Sequence, residues 1–440
     1  MRNSHKIAIA TLGCKVNQYE SAGIIEKLTE RGFITVPFSD PADIYIVNTC
    51  TVTGKTDYQS RQLIRRAYRK NPEASIIVTG CYSQIAPAEI SELPGVATVV
   101  GNSEKEKIPD IIRNMVKGKQ QIIVGDIGQT KRISGLAVTK FPGRTRAFLR
   151  IQDGCNSFCS YCIIPYSRGR SRSLPEEEVL DLAYMLGGAG HREIVLSGIH
   201  LGAYGEDLLP PANLLNLLRK IEEGKMVERL RLSSIEPVEI TDEMISHIRN
   251  SEIICRHLHI PLQSGDNKIL SLMKRNYSAA FFRDLIKRLL DALPDMAIGI
   301  DVMVGFPGEG EKEFENTLEF IEELPVAYLH VFPYSKRPGT QSEALPDRVK
   351  EDVKKKRGEI LRMLGRKKRT AFAERFVGKR LSVLVEDKKD RDAGLLKGFS
   401  GNYIPVLITN GNPSLVNNVI DVIADRANGG KIFGRNITNG

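Results

Sequence analysis

Hydrophobic residues along this chain form short β-type runs, separated by longer stretches with helical spacing. In the first third, the β-type runs lie at residues 6–11, 44–48 and 75–79, and the helical stretches at 20–31 and 56–70. Strands that alternate with helices are typical of a parallel sheet. The pattern therefore predicts an α/β domain over residues 1–140.

The next segment repeats the alternation of β-type and helical patterns. Its β-type runs lie at residues 148–152, 193–196, 229–233, 257–262, 298–304 and 328–332. Ser173 and Glu176 have the spacing of a capping box at the start of the first helix. Six β/α units predict an incomplete (β/α)6 parallel barrel, in which chemistry lies at the carboxyl ends of the strands.

Charge divides the barrel from the last segment. Residues 350–380 contain 13 Lys or Arg and 4 Asp or Glu, which accounts for most of the net charge of +10. This predicts a basic helical neck that ends a second domain at residues 141–375 and binds a polyanion such as nucleic acid. The alternative is a solvated linker.

Residues 376–440 contain short β-type runs at 381–385, 403–407 and 419–424, with a turn at 410–413. Such spacing predicts a small antiparallel β-barrel. Barrels of this size often bind single-stranded or looped nucleic acid. A dimerisation or capping domain is the alternative.

Composition favours a globular protein of two or three domains, since 41% of its 440 residues are hydrophobic. No run of about 20 apolar residues predicts a membrane span. Residues 1–10 lead straight into a β-type run and do not resemble a signal peptide. An odd number of cysteines, seven, argues against a disulfide framework, so we expect a reducing cytoplasm.

Three of the seven cysteines, Cys155, Cys159 and Cys162, follow the first barrel strand with the spacing C-x3-C-x2-C. Three thiolates so close can hold three irons of a cubane cluster and leave the fourth open to a small molecule. A structural zinc site normally has four ligands, and no nearby Cys or His supplies the fourth. Buried or zinc-bound cysteines remain the alternative.

Three further cysteines, Cys14, Cys50 and Cys81, each follow a predicted strand of the first domain. Parallel strands end at the same edge of a sheet, so these thiols can converge although they are distant in sequence. They could hold a second cluster with one iron free. The alternative is that they are buried and inert.

These motifs resemble known families. C-x3-C-x-aromatic-C, with Tyr161 as the aromatic residue, is similar to the signature of radical S-adenosylmethionine (SAM) enzymes. Residues 11–21, 47–53 and 79–82 resemble the N-terminal domain of methylthiotransferases, and the C-terminal segment resembles their RNA-binding TRAM domain. Residues 152–173 and 197–205 resemble the MtaB type of that family. The resemblance covers essentially the whole chain.

The resemblance implies an activity and its cofactors. It implies two 4Fe–4S clusters, one on Cys155, Cys159 and Cys162 that cleaves SAM to a 5′-deoxyadenosyl radical, and an auxiliary one on the other triad that carries sulfur. The MtaB type adds a methylthio group to carbon 2 of N6-threonylcarbamoyladenosine at tRNA position 37. The implied partners are the tRNA anticodon arm, a sulfur donor and a reduced electron donor such as a flavodoxin or ferredoxin, with no membrane.

Residues at the strand ends are candidates for binding SAM. Glycines there let a ligand approach the backbone, and polar side chains can bind its ribose. The candidates, together with Tyr161, are Gly198, Glu236, Gln263, Ser264 and Gly305. For the polar residues the alternative is hydrogen bonds that cap the loops.

Two sets of charged residues near these motifs have more than one candidate partner. We expect one of Arg168, Arg170 and Arg172 to meet the substrate carboxylate or a tRNA phosphate, since bidentate arginine contacts are strong; a surface run is the alternative. His257 and His259 could be metal ligands, but packed or surface histidines are expected. Cys255 is expected to be buried and structural.

Other functions share these motifs. MiaB-type relatives modify N6-isopentenyladenosine and tend to have Gln-Asn where this chain has Ile199 and His200, and RimO-type relatives modify an aspartate of a ribosomal protein. A non-catalytic RNA-binding protein with iron–sulfur clusters is the alternative from another class. One departure from the family pattern is Ile300, where Thr is usual before Asp301.

Overall fold

The computed structural model describes residues 5–116, 118–141 and 143–438. Residues 1–4 begin the segment predicted not to be a signal peptide, and residues 439–440 end the predicted C-terminal domain. Both lie outside the described residues. None of the helices in the described part of the chain is long and apolar enough to cross a membrane.

The first segment is a layered α/β unit with a parallel sheet, as its alternating pattern predicted. Among the residues described, the strands are β1 (Lys6–Thr11), β2 (Ile34–Thr35), β3 (Ile44–Thr49), β4 (Ser75–Gly80), β5 (Val96–Val100) and β6 (Gln121–Ile123). The helices are α1 (Lys15–Glu30), α2 (Gly54–Lys70), α3 (Cys81–Ile85), α4 (Pro87–Ser91) and α5 (Ile108–Asn114). The strand order is β2-β1-β3-β4-β5-β6, so β1, β3 and β4 are neighbours at its centre.

The second segment is the open parallel barrel that was expected. Its wall consists of β7 (Arg146–Arg150), β10 (Glu193–Ser197), β11 (Arg229–Leu232), β12 (His257–Gln263), β13 (Ala297–Val304) and β14 (Tyr328–Pro333). Two three-stranded sheets, β7-β10-β11 and β12-β13-β14, are joined by bridges at Leu230–Ile254 and Ser234–His259. Two short strands, β8 (Gln152–Asp153) and β9 (Arg172–Ser173), pair at the mouth.

Helices cover the outside of the barrel and bury its apolar wall. They are α7 (Glu176–Gly188), α8 (Leu214–Glu223), α9 (Asp242–Asn250), α10 (Asn267–Leu272), α11 (Ala279–Ala292), α12 (Glu311–Glu323) and α13 (Glu351–Glu374), whereas α6 (Ile164–Arg168) packs against α3 of the N-terminal unit. Ile300 is fully buried in this wall and packs in the main core, so its departure from the usual Thr affects packing.

The predicted capping box at α7 is wrong. The helix begins at Glu176, its N-cap is Pro175, and no side chain caps it. Ser173 lies in β9, where its hydroxyl accepts a hydrogen bond from the Gly205 amide at 2.8 Å. Because Pro175 continues the extended backbone, Ser173 is too far from the helix to cap it.

The C-terminal segment forms a closed barrel. In the described residues its strands are β15 (Arg380–Lys389), β16 (Leu396–Ser400), β17 (Pro405–Ile408), β18 (Val419–Asn428) and β19 (Lys431–Asn436). The pairs are antiparallel except β17 with β19, which are parallel and close the barrel. The sequence pattern missed β16 and β19, whose strands contain glycines and polar residues.

The basic neck is the long helix α13, which joins the two barrels. Leu361 packs in the core of the parallel barrel, while Phe372 and Ala373 pack in the core of the C-terminal barrel. Lys354 and Arg357 are also buried. The helix is therefore a packed structural element, and only its outer face is free to carry a basic surface.

Buried arginines hold the C-terminal barrel against the bottom of the parallel barrel. Arg231 donates to both carboxylate oxygens of Glu193, at 2.7 and 3.1 Å, and to the carbonyls of Ser400 and Gly401. Arg229 donates to the Phe399 carbonyl at 3.2 Å. Glu193 is fully buried, so it supplies the charge that lets these guanidinium groups lie inside the interface.

Replacing Glu193 by Gln should destabilise this interface, because it leaves the buried guanidinium groups without a counter-charge. We expect a loss of about 3–5 kcal/mol in the free energy of unfolding. The matched control, Glu243→Gln, removes an exposed partner of Arg219 and should cost about 0–1 kcal/mol. Urea unfolding of both variants measures the difference, and equal midpoints would contradict the role of Glu193.

Candidate active site

The loop that carries Cys155, Cys159 and Cys162 lies at the mouth of the parallel barrel, directly after β8. The Cys155 amide donates to the Gly169 carbonyl at 3.1 Å, and the Cys162 amide donates to the Cys159 carbonyl at 2.9 Å. Phe158 has a φ of 44°, which turns the chain between the first two cysteines. All three thiols are partly exposed, so the loop presents them together at its surface.

Two cationic side chains approach this triad, and sequence reasoning missed both. Arg275 donates to Cys159 Sγ at 3.1 Å and also pairs with Glu236. His200 Nδ1 lies 3.6 Å from Cys155 Sγ, and its Nε2 lies 2.5 Å from a carboxylate oxygen of Glu239.

These contacts change how readily the groups ionise. Burial opposes ionisation of Cys155, but the hydrogen bonds of His200 and Ser157 outweigh it and lower the pKa of the thiol. Burial also opposes charge on His200, yet its bonds to Cys155 and Glu239 raise its pKa to about 10. Burial raises the pKa of Cys159, and it raises that of Cys162 to about 12, so Cys155 is the thiol of this triad whose surroundings favour the anion.

The second triad, Cys14, Cys50 and Cys81, lies at one edge of the N-terminal sheet, after β1, β3 and β4. Burial raises the pKa of Cys50 to about 12, and negative charge on Cys81 and on Cys14 adds to the effect. The three thiols are thus close enough to influence one another. The predicted convergence of the strand ends is present in the structure.

Glycines and amides bring these strand ends together. Asn17 donates to the carbonyls of Leu12 and Thr49, at 2.7 and 3.0 Å, which joins the ends of β1 and β3. Gly80 has a φ of 104°, and a Cβ there would lie 2.3 Å from the Thr49 carbonyl oxygen. Only glycine fits this position, and Cys81 follows it directly.

The spacing of the thiols in both triads argues against a single zinc ion. Sulfurs that share one tetrahedral zinc lie about 3.8 Å apart, given a Zn–S bond of about 2.3 Å. Among the described residues, one group of His, Cys, Asp or Glu side chains brings three ligand atoms within 4.8 Å of one another, and it contains no cysteine. The three sulfurs of each triad do not all lie within 4.8 Å of one another, which suits a multi-iron cluster because each thiolate then binds a different iron.

The two triads are joined through a buried ion-pair network centred on Arg168. This guanidinium donates to Glu20 at 3.0 Å, to Asp153 at 2.8 Å and to Asn17 at 2.5 Å. Lys105 also pairs with Glu20, and Arg150 lies 3.3 Å from it. The expectation that Arg168 meets the substrate is therefore wrong.

The other two arginines of that run differ from each other. Arg172 is buried, and it donates to Asp153 at 3.3 Å and to the Arg168 carbonyl at 2.7 Å, so the expectation is wrong for it too. Arg170 is exposed and stacks over the Phe158 ring at 4.7 Å. Its predicted contact with a carboxylate or a phosphate stays a prediction.

A cavity of about 220 Å³ lies between the two units at the barrel mouth, and we call it the chamber. Its walls include Cys162 and Tyr161 from the first triad's loop, and Val52 and Thr53 from the loop after Cys50. The remaining lining residues are Ile163, Ile164, Gln263, Asp301, Met303, Phe332, Pro333, Tyr334 and Ser335. The chamber therefore borders the segments of both triads.

Contacts across the chamber hold the N-terminal unit over the barrel mouth. The Gly54 amide donates to Ser335 Oγ at 3.0 Å, and Arg337 pairs with Asp57 at 2.7 Å. Arg337 also donates to Thr51, the residue after Cys50, at 2.6 Å. These bonds place the second triad next to the chamber.

Two family models match these units. Residues 6–101 match the model described as Uncharacterized protein family UPF0004, and residues 149–321 match the Radical SAM superfamily. Over 422 residues the chain is 44% identical to threonylcarbamoyladenosine tRNA methylthiotransferase MtaB of Bacillus subtilis, which covers 94% of this chain and 93% of that protein. This chain belongs to the MtaB family of radical SAM methylthiotransferases.

The chain is also similar to a second MtaB protein, to a related tRNA-modifying enzyme and, in fold alone, to a solved radical SAM structure. MtaB of Aquifex aeolicus is 39% identical and covers 86% of this chain and 92% of its own length. A tRNA-2-methylthio-N(6)-dimethylallyladenosine synthase of Pelotomaculum thermopropionicum is 33% identical, with 95% and 94% covered. The radical SAM methyltransferase TsrM of Kitasatospora setae has the same fold, with a TM-score of 0.55 at 16% identity over 74% of this chain and 73% of its own.

Within this MtaB-family fold, the sequence candidates for SAM binding separate into two groups. Tyr161 and Gln263 line the chamber, and Glu236 lies beside the first triad through Arg275. Ser264 is fully buried and bonds to Thr317 and to the Asp266 amide, so its predicted contact with a cofactor is wrong. Its hydroxyl caps the loop, which was the alternative.

The two candidate glycines make room for neighbouring side chains. A Cβ at Gly198 would lie 2.9 Å from Gln152 Oε1, and one at Gly305 would lie 2.2 Å from Lys354 Cγ. Their small size is thus required by packing, and their contact with SAM stays a prediction. Cys255 is buried as expected, and burial raises its pKa to about 11.

A substitution at Gly13 tests whether iron binding depends on the close packing beside Cys50. Its φ is 101°, and an added Cβ would lie 2.9 Å from Cys50 Cβ and 3.1 Å from Cys50 Sγ. We expect Gly13→Ala to displace Cys50 and to bind less iron after anaerobic reconstitution. The measurement is the iron content of each chain.

Gly32→Ala is the matched control. Gly32 has a similar φ of 84°, so it carries similar backbone strain, but nothing lies within 4 Å of the added Cβ. This variant should keep the iron content of the unaltered chain. Equal iron content in both variants would show that close packing beside Cys50 is not needed for iron binding.

Proposed function

We propose that this chain adds a methylthio group to carbon 2 of N6-threonylcarbamoyladenosine at tRNA position 37, which yields 2-methylthio-N6-threonylcarbamoyladenosine. The observation that carries the proposal is the 44% identity to a named threonylcarbamoyladenosine tRNA methylthiotransferase over almost the full length of both chains. Four further MtaB relatives are 36–39% identical over 86–92% of this chain. The chain is thus a transferase that acts on tRNA.

The fit of the two triads to iron–sulfur clusters supports this chemistry. We assign one 4Fe–4S cluster to Cys155, Cys159 and Cys162, and a second to Cys14, Cys50 and Cys81. When bound, these groups and SAM supply a 5′-deoxyadenosyl radical, a sulfur atom and a methyl group. A radical suits the reaction because the C–H bond at carbon 2 is not acidic enough for acid–base catalysis.

The residues of the chain itself hold and shield the reactants. Arg275 donates to Cys159 Sγ, and His200 lies beside Cys155 Sγ. Such contacts to ligand sulfurs shift the reduction potential of a bound cluster. Tyr161, Gln263 and Phe332 line the chamber, and a ligand bound there would displace water from around the reacting atoms. Glu236 orients Arg275, so it contributes to the site through that side chain.

The reaction also needs partners that supply electrons and sulfur. We propose a reduced electron donor such as a flavodoxin or ferredoxin, and a separate sulfur donor. We also propose that it works in a reducing cytoplasm, where the cysteines that we assign to the clusters stay available as thiolate ligands.

The outer face of α13 is the proposed binding surface for the tRNA backbone. Lys355, Arg362 and Arg366 are exposed, and their spacing of seven and four residues places them on one face of the helix. Cations in such a row neutralise phosphates and release counterions. The anticodon arm would lie along α13 with position 37 directed to the chamber.

The relatives do not favour the other functions. Relatives named for dimethylallyladenosine in tRNA are 32–33% identical, below the five MtaB proteins. His200, which stands where the isopentenyladenosine enzymes tend to have Asn, lies beside Cys155. A non-catalytic iron–sulfur protein does not explain the open, three-cysteine ligand sets.

Two cysteine variants test both the proposed activity and the assignment of one cluster to each triad. Cys159→Ala should bind about four irons instead of about eight and form no 5′-deoxyadenosine. Cys50→Ala should lose the same amount of iron but still cleave SAM, with no methylthiolated tRNA. Mass spectrometry of tRNA nucleosides measures the product. Unmodified N6-threonylcarbamoyladenosine after reaction with the unaltered, fully loaded enzyme would overturn the proposal.

Charge reversal on α13 tests the tRNA surface. Arg362→Glu with Arg366→Glu should weaken tRNA binding and reduce the slope of log K against log salt by about 0.7–0.9 for each phosphate that the helix no longer neutralises. Lys70→Glu with Lys287→Glu changes the net charge equally on other exposed helices and is the control. Binding that is insensitive to salt, or an equal decrease in affinity in both variants, would contradict the role of α13.

A further inference from the structure

The inner face of β12, β13 and β14 carries a polar cluster that the proposed reaction does not use, in which His259 is buried and His330, on the edge strand β14, is half exposed. His259 Nε2 lies 2.8 Å from Asp301 Oδ1, and His330 Nδ1 lies 3.5 Å from the same oxygen. The three ligand atoms all lie within 4.8 Å of one another, which within residues 5–116, 118–141 and 143–438 is true of no other such group. The cysteine triads contribute nothing to it.

Strand register brings these side chains together. His259, Asp301 and His330 come from the adjacent strands β12, β13 and β14, and Asp301 is paired directly with His330. Their neighbours Leu258, Ile300 and Leu329 face outward into the main core. Because side chains alternate along a strand, the cluster faces into the barrel.

A second layer of contacts orients His259. The Tyr328 hydroxyl lies 3.3 Å from His259 Nδ1 and 2.8 Å from His257 Nε2. His257 is buried and its Nε2 is the nearer of the two ring nitrogens to that hydroxyl, so the tyrosine O–H can donate to it. The tyrosine oxygen is then free to accept from Nδ1–H of His259, which leaves His259 Nε2 to bind a ligand.

The backbone leaves space for this arrangement. A Cβ at Gly299 would lie 2.3 Å from the Tyr328 hydroxyl and 2.0 Å from its ring. Any larger residue would push the tyrosine away from His259. Metal-binding histidines are commonly held in this way, by a hydrogen bond from the ring nitrogen that does not bind the metal.

We propose that His259, Asp301 and His330 form a binding site for a borderline divalent cation such as Zn²⁺ or Fe²⁺. Two histidines and one carboxylate on one side of an ion are a ligand set that such metals accept, and it leaves positions open. Asp301 lines the chamber, so an open position would face it and could take an oxygen donor, either water or a carboxylate of the bound substrate. The ion itself does not depend on which RNA the enzyme modifies.

The alternative is a cluster without metal, in which His259 and His330 bond directly to the Asp301 carboxylate. The two cases differ in whether the holoenzyme retains a divalent ion.

The test is a Zn²⁺ titration of the anaerobically reconstituted holoenzyme, in which iron already occupies the cysteine triads. After chelator treatment and desalting, the unaltered chain should retain about one Zn²⁺ with its iron content unchanged. Asp301→Asn and His259→Gln should retain none, again with unchanged iron. Metal content is measured by elemental analysis and affinity by competition with a chromophoric chelator.

Two further variants separate a metal site from a general loss of structure. Tyr328→Phe keeps all three ligands but removes the contact to His259, and it should weaken Zn²⁺ binding about 10–100-fold. His247→Gln removes a histidine of α9 that pairs with Glu222 and should bind Zn²⁺ like the unaltered chain.

Three results would overturn the proposal. They are no retained Zn²⁺ in the unaltered holoenzyme, equal retention in Asp301→Asn, or equal affinity in Tyr328→Phe. The first needs no variant, so it decides the matter even if His259→Gln fails to fold.

Discussion

The guanidinium of Arg168 holds together the parts of the chain that carry both cysteine triads. Arg168 is fully buried and follows Cys162 by six residues. Its guanidinium bonds to Asp153, just before Cys155, and to Asn17, just after Cys14. A charge in that position is tolerable only because Glu20 and Asp153 surround it. Hydrogen bonds from a planar fork fix direction as well as distance, so this group sets how the N-terminal unit sits on the barrel. Because the chamber lies between these two units, the bonds of Arg168 also determine its shape.

The barrel wall separates two kinds of packing. Residues that face outward from β12, β13 and β14 are aliphatic and pack under helices, which gives the unit its stability. Residues that face inward do not have to fill a dry core, because the barrel is open and its mouth borders the chamber. Asp301 and Gln263 therefore line the chamber, and the buried His259 lies behind them, bonded to Asp301. The same division explains why stability and chemistry come from alternate residues of one strand.

The basic neck has a structural role that its charge alone does not reveal. Lys354 and Arg357 are buried, and Arg357 bonds to Glu309 at 2.7 Å, next to the loop at Gly305. The exposed cations, among them Arg362 and Arg366, lie on the outer face of α13. Since α13 packs in the cores of both barrels, its cations serve partly to hold the fold together.

The sequence by itself determined the alternation of strands and helices, the close triad at Cys155, Cys159 and Cys162, and the family, because periodicity and close cysteine spacing are local properties. It also predicted that Cys14, Cys50 and Cys81 converge, since parallel strands end at one edge. Only the tertiary structure decided which polar residues reach the chamber. Ser264 and Arg168 look like ligand contacts in sequence, yet Thr317 and Glu20, which are distant along the chain, occupy them. His200, Arg275 and the cluster around Asp301 acquire their roles in the same way, through neighbours that are far apart in sequence and meet only when the barrel closes.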